Sequence, residues 1–309
     1  MRKIIIDTDP GQDDAVAILA ALASPDELDV LAICSVAGNV PLHHTTRNSL
    51  QLVELANARV PVYAGCSRPM VKELVTAEYV HGPTGLDGAN LPDPTTVAAD
   101  LHAVDYLVQT LRAAEPASVT LCTLGPLTNI GMALVRAPEI AAALEGIVAM
   151  GGGFFEGGNV TPAAEFNIYV DPHAAHVVFT SGVPLTLMPL DVTHKALANE
   201  ARVAPFRDLG TAAGTCVAGM LTYFDRYDME KYGSSGAPLH DPTTIAYLLE
   251  PDLFAGRKCH VEIVTAGPAE GMTMVDWWDV TGKEPNVMVM NEVDADAFFT
   301  LLLGRIARL

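Results

Sequence analysis

Positive charge is scarce in this chain: 18 Lys and Arg stand against 37 Asp and Glu, a formal net charge of -19 over 309 residues. A surface of that sign repels a polyanion at long range, which makes nucleic acid and anionic membranes poor partners. Long apolar runs are missing as well, and none approaches the roughly 20 residues needed to span a bilayer. Met1-Arg2-Lys3 carries positive charge, but only Ile4-Ile5-Ile6 separates it from Asp7, too little for the apolar region of a signal peptide. The five cysteines are odd in number and never spaced as C-x-x-C, which fits buried reduced thiols better than a disulfide frame or a zinc site. No repeat, linker or low-complexity segment marks a boundary. The expectation is a cytoplasmic enzyme of small molecules, folded as one domain over residues 1–309.

What is present is an alternation of short apolar runs with longer segments of helical period. Strands are predicted at Lys3–Ile6, Leu28–Val36, Val60–Ala64, Val119–Cys122, Gly146–Met150 and Pro184–Met188. Helices are predicted between them at Asp13–Ala23, Thr45–Asn57, Ala99–Ala114, Thr128–Val135 and Pro172–Ser181. This order points to an α/β fold, a doubly wound and mostly parallel central sheet flanked by helices. Beyond Thr193 the pattern is mainly helical, at Asn199–Tyr232 and Pro242–Leu248. Two β-rich stretches follow, His260–Thr265 and Asn286–Met290, and then a final helix over Ala295–Arg308.

Asp7, Asp9, Asp13 and Asp14 place four carboxylates within eight residues where the first strand turns into the first helix. That is the carboxyl edge of the sheet, where open α/β folds bind ligands. Carboxylates so crowded raise one another's pKa unless a cation compensates them, and hard oxygen donors suit calcium or magnesium rather than zinc. The alternative is structural, with Asp7 and Asp9 in turns and Asp13 or Asp14 capping the helix. An EF-hand is excluded, because its closing glutamate would fall at Ile18 and a strand precedes the cluster. Gly151-Gly152-Gly153 is not a dinucleotide fingerprint, since the third glycine required would fall on Glu156.

Asp7-Thr8-Asp9-Pro10-Gly11-Gln12-Asp13-Asp14-Ala15 resembles the N-terminal signature of the inosine-uridine preferring nucleoside hydrolase family. The resemblance continues through Gly38-Asn39, His81-Gly82-Pro83-Thr84-Gly85-Leu86, Gly125-Pro126-Leu127-Thr128-Asn129, Met150-Gly151-Gly152, Ala164-Glu165-Phe166-Asn167 and His240-Asp241-Pro242. It implies one Ca2+ held by Asp9, Asp14, Asp241 and the carbonyl of Leu124. Asp13, Asn39, Asn159, Glu165 and Asn167 are implied to hold the ribose hydroxyls. Alternatively Asn39 and Asn159 are turn residues beside their glycines. If the stretch at 165–167 is extended, Glu165 and Asn167 face the same way.

The reaction so implied is hydrolysis of the N-glycosidic bond of ribonucleosides of the inosine, uridine and cytidine class. Water prepared by the metal would attack the ribosyl centre, with Asp9 as general base. His240, titrating near neutrality, would protonate the leaving base. His81 lies in a glycine-rich loop suited to closing over the base, unless that is a plain surface loop. Phe166, Tyr223, Tyr227 and Tyr232 are candidates to stack on the base, though core packing explains any one of them equally. Glu230-Lys231-Tyr232-Gly233 resembles the same segment of pyrimidine-preferring members of the family, which implies a lean towards pyrimidines. A homodimer or homotetramer is implied by the resemblance alone. A magnesium phosphohydrolase would need a lysine or arginine near the cluster, and a ribose-binding protein would not need His240 beside Asp241.

Overall fold

Three consecutive isoleucines have no polar face to offer solvent, and Ile4, Ile5 and Ile6 lie fully buried in β1 (Arg2–Thr8). The computed structural model describes residues 1–232 and 236–309, and of residues 225–232 only the backbone. The further strands are β2 (Leu28–Ser35), β3 (Val62–Ala64), β4 (Val119–Thr123), β5 (Leu144–Met150), β6 (Leu185–Met188), β7 (Leu197–Ala198), β8 (Ala237–Pro238), β9 (Phe254–Ile263), β10 (Thr273–Asp276) and β11 (Val287–Val293). A nine-stranded sheet runs in the order β10-β9-β11-β6-β5-β4-β1-β2-β3, while β7 and β8 form a separate pair. All neighbours from β3 to β11 are parallel; β9 and β10 add an antiparallel edge.

The chain winds one way through β1, β2 and β3 and the other way through β4, β5 and β6, so the winding reverses between β1 and β4. A crevice opens outside the carboxyl ends of two such strands because their connections leave in opposite directions. Asp7 pairs with both Cys34 and Thr123, which brings the ends of β1, β2 and β4 level. Side chains alternate across the sheet. Ile4, Ile6, Ile33 and Cys122 pack beneath the helices Gln12–Leu22 and Pro242–Leu249. Ile5, Cys34, Leu121 and Ile147 face the opposite layer, which contains Ala103–Ala113, Thr128–Arg136 and Pro172–Phe179. Among the described residues no helix is long and apolar enough to cross a membrane.

The doubly wound, mostly parallel sheet is as expected, and the differences lie at element ends and in short added elements. The helix expected from Ala99 begins at Ala103, because His102 Nδ1 accepts the Val104 N–H at 3.2 Å and caps it. Ala99 instead bridges to Tyr63 alongside β3. Strand β9 begins at Phe254, six residues before the predicted start, since exposed Arg257 and Lys258 interrupt its apolar pattern. Strand β10 was not foreseen. Nor was the helix Phe166–Val170: Glu165 is its N-cap, so 165–167 is not extended.

Candidate active site

The four aspartates of the first loop are fixed by the turn that makes them. Gly11 caps the helix Gln12–Leu22, and Asp14 in its first turn reaches back to accept the Gly11 N–H at 3.0 Å and the Thr8 hydroxyl at 2.6 Å. Asp14 therefore caps the helix and also lies in the site, so the two readings of it are compatible. Asp9 is buried between two glycines. A Cβ at Gly38 would fall 2.0 Å from its Oδ2, and one at Gly125 would fall 2.2 Å from its Oδ1. Its Oδ2 accepts the Asn39 N–H at 2.7 Å, whereas Oδ1 is buried with no hydrogen-bond partner.

Asp13 and Asp14 meet Asp241, from the start of the helix Pro242–Leu249, with one carboxylate oxygen of each within 4.8 Å of the others. Asp9 stands outside that trio, joined to Asp14 through the Asn39 amide, which donates to Asp14 Oδ2 at 3.1 Å. Burial and then mutual repulsion drive these acids towards protonation: Asp13 is pushed up to about 7, and Asp9 and Asp241 are held well above the ordinary carboxylate range. An orphaned buried oxygen beside so many repelling carboxylates fits a divalent cation with oxygen ligands. Asp7 is a different case. It points away to Asn129, whose amide donates to it at 2.8 Å, and burial lifts it to about 8.

These residues floor and flank a cavity of about 90 Å³ at the β1–β4 reversal. Leu124, Asn39, Asn159, Glu165, Phe166 and Asn167 line it, together with Asp13, His81, His240 and Asp241, while Asp9 and Asp14 lie behind the surface. Asn167 Nδ2 donates to the Leu124 carbonyl at 2.7 Å, so the proposed main-chain ligand is already engaged through one lone pair. Glu165 accepts from the N–H groups of Asn167, Gly152 and Ile168 at 2.9, 2.8 and 3.2 Å. Those bonds hold its carboxyl down, but burial outweighs them and raises it to about 7. Gly152, at φ +73°, leaves room only for hydrogen, since a Cβ would meet Thr273 Oγ1 at 2.4 Å.

His81 lines the cavity and is tied to the first helix. It ends the short helix Glu78–His81, and its Nδ1 lies 2.7 Å from Gln12 Oε1 while Gln12 Nε2 donates to its carbonyl at 2.9 Å. Asn48 Nδ2 staples the same loop by donating to Thr84 and Pro10 carbonyls at 2.8 and 3.0 Å. Burial lowers the His81 pKa to about 3. His240 differs from expectation too: burial, followed by the nearby His194 and His81, pushes it well below its ordinary 6.5. Its Nδ1 is 2.7 Å from Thr193 Oγ1. No motif pointed to Thr193, Gln12, His194 or Phe224, the last stacked on His81 at 5.4 Å between ring centroids. Tyr227 and Tyr232 have side chains outside the described residues.

Among known proteins, the family model for inosine-uridine preferring nucleoside hydrolases matches residues 4–300. The chain is 48% identical over 307 residues to the pyrimidine-specific ribonucleoside hydrolase RihA of Escherichia coli K12, covering 98% of this chain and 97% of that protein. The solved purine-preferring ribonucleoside hydrolase from Gardnerella vaginalis superimposes with a TM-score of 0.92 at 33% identity, covering 99% of this chain and 98% of that one. A plant nucleoside hydrolase, PpNRh1, does so with a TM-score of 0.91 at 34% identity and 99% coverage of both chains.

Proposed function

Since the chain belongs to the inosine-uridine preferring nucleoside hydrolase family and hydrolyses ribonucleosides to ribose and free base, we propose that its reaction depends on Ca2+ and runs in the cavity beneath His240. The observation that carries this reading is the meeting of Asp13, Asp14 and Asp241 at the floor of the cavity, with Asp14 just behind its surface, where Leu124, Glu165 and Asn167 also line it. Asp9, Asp14, Asp241 and the Leu124 carbonyl would hold the ion, which when bound supplies a Lewis-acidic centre that makes a water more acidic and grips the ribose diol.

The remaining steps fall to the protein's own groups. Asp9, fixed by the Asn39 N–H on its Oδ2, is the general base that takes a proton from the attacking water. Asp13, Asn39, Asn159, Glu165 and Asn167 hold the ribose hydroxyls, and the surrounding carboxylates favour the positive charge that grows on the sugar as the base leaves. His240, with Nδ1 engaged by Thr193, offers Nε2 to the departing base, against which His81 and Phe166 pack. No lysine or arginine lines the cavity among the described residues, which disfavours a phosphorylated substrate.

The 48% identity to the E. coli pyrimidine-specific enzyme supports a preference for uridine and cytidine. The nine-stranded sheet, which draws its strands from Arg2 through to Val293, supports one domain over residues 1–309. We propose further that the protein acts in the cytoplasm as a homodimer or homotetramer. The deciding test is ribose release from inosine, uridine and cytidine, with and without a calcium chelator. Release abolished by the chelator, and faster from the pyrimidines, is expected. Undiminished release after chelation would overturn the calcium dependence.

A further inference from the structure

A single turn of the chain, Leu190–Thr193 with the following His194, makes contact with both sides of the cavity. Asp191 is buried, and its carboxylate accepts three consecutive backbone N–H groups: Phe154 at 2.9 Å on Oδ2, and Phe155 and Glu156 at 2.8 and 3.1 Å on Oδ1. That loop runs on to Asn159, whose Oδ1 accepts the Phe166 N–H at 3.0 Å. The backbone adds a fourth tie, as the Leu190 N–H donates to the Gly152 carbonyl at 2.9 Å. Two residues after Asp191, Thr193 is fully buried with its hydroxyl 2.7 Å from His240 Nδ1. His194 closes the arrangement by pairing with Glu156 at 3.2 Å.

We infer that Asp191 and Thr193 are positioning residues that set the two halves of the site from one rigid turn: Thr193 aims the His240 ring, and Asp191 holds the loop that presents Asn159. The inference rests on the proposed roles of His240 and Asn159. A loop of six residues containing Gly151, Gly152 and Gly153 has little stiffness of its own, so three charge-assisted hydrogen bonds to one carboxylate account for its order. An imidazole rotates about two side-chain bonds, and engaging Nδ1 fixes which nitrogen faces the ligand. The two effects should separate kinetically, because the ring acts on the leaving base in the transition state and the loop acts on ribose in both states.

The test compares Thr193→Val, Thr193→Ser and Asp191→Asn with His240→Ala and Asn159→Ala, each by steady-state hydrolysis of uridine and inosine in calcium, with a melting curve for every variant. Thr193→Val is expected to lower kcat about tenfold with KM little changed, a misplacement effect on the scale of other positioning losses, and Thr193→Ser to restore it. Asp191→Asn should instead raise KM several-fold, in the direction of Asn159→Ala. Wild-type kcat in Thr193→Val alongside a damaged His240→Ala would overturn the inference and leave the reading of His240 standing. Wild-type kinetics in His240→Ala would overturn that reading, and the role of Thr193 with it. Parallel losses in both constants that follow the melting temperature would show a purely structural turn, and overturn the inference as well.

Discussion

Gly38 touches Asp9 so closely that a Cβ at position 38 would lie 2.0 Å from the carboxylate's Oδ2. The next residue, Asn39, donates its backbone N–H to the same oxygen at 2.7 Å, so the glycine lets the backbone come near enough to fix the carboxylate. Gly38→Ala should therefore displace Asp9 without disturbing the sheet. The expected outcome is a fall in kcat of about 100-fold, typical of a misplacement near 1 Å, with an unchanged circular dichroism spectrum. Retention of more than half the activity would show that the Asp9 position is not critical.

Asp241 offers a test of the metal that does not depend on turnover. At neutral pH the metal-free cluster is strained by burial and by Asp13 and Asp14, which lift the Asp241 pKa well above 3.8. Asp241→Asn keeps the shape and removes the ionisable group whose burial costs stability. Without calcium the variant should melt above the wild type; with calcium the order should reverse, because an ion at about 100 times its dissociation constant adds about 2.7 kcal/mol to the form that binds it. The same order of melting in both conditions would contradict a cation held by Asp241.

Glu165 predicts the sign of a pH effect on stability. Its folded pKa of about 7 lies above the ordinary 4.5, so between those values the folded protein binds a proton that the unfolded chain has released. Stability from this group is thus full below the unfolded value and is lost as pH rises through the folded one. Glu165→Gln removes the titration. In calcium-free buffer its stability should fall less steeply than the wild type's between pH 4.5 and 7, by at most about 1.4 kcal/mol per pH unit. Equal slopes would place Glu165 in an environment that leaves its acidity unaltered.

Much of this site was legible because one short segment carries it. The isoleucine run declared β1, and the aspartates after it had to emerge at a carboxyl edge, whichever way the strands were ordered. The reversal between β1 and β4, which brings Leu124 beside them, is a consequence of the winding that alternating elements imply. Glu165 and Asn167 both line the cavity without an extended stretch between them, since a spacing of two fits a strand and also fits an N-cap followed by its second helical residue. Thr193 and Asp191 were not legible. A threonine hydroxyl meeting an imidazole 47 residues later, or a carboxylate collecting the N–H groups of a distant loop, leaves no periodic trace in the sequence. Strand β10 spans only Thr273–Asp276, too short for alternation to declare itself.

Asn167 bears on which sugars the enzyme accepts. Its side-chain amide is spanned between the Leu124 carbonyl at 2.7 Å and the Met150 carbonyl at 3.3 Å, so it is held in place before any ligand arrives. A polar group fixed in advance is left without its partner when the substrate lacks the matching hydroxyl, and such losses discriminate by factors of about 10⁴. The 2′-deoxy and 3′-deoxy forms of uridine should therefore be cleaved at least about 1,000-fold less efficiently than uridine, a conservative reading of that range. Asn167→Ala should slow uridine far more than it slows the deoxynucleoside that lacks the hydroxyl Asn167 meets, because for that substrate the interaction is already missing. The ratio of kcat/KM values across the two deoxynucleosides thus identifies the hydroxyl concerned. Equal losses on uridine and on both deoxynucleosides would instead assign Asn167 to holding the Leu124 carbonyl, with no contact to the sugar.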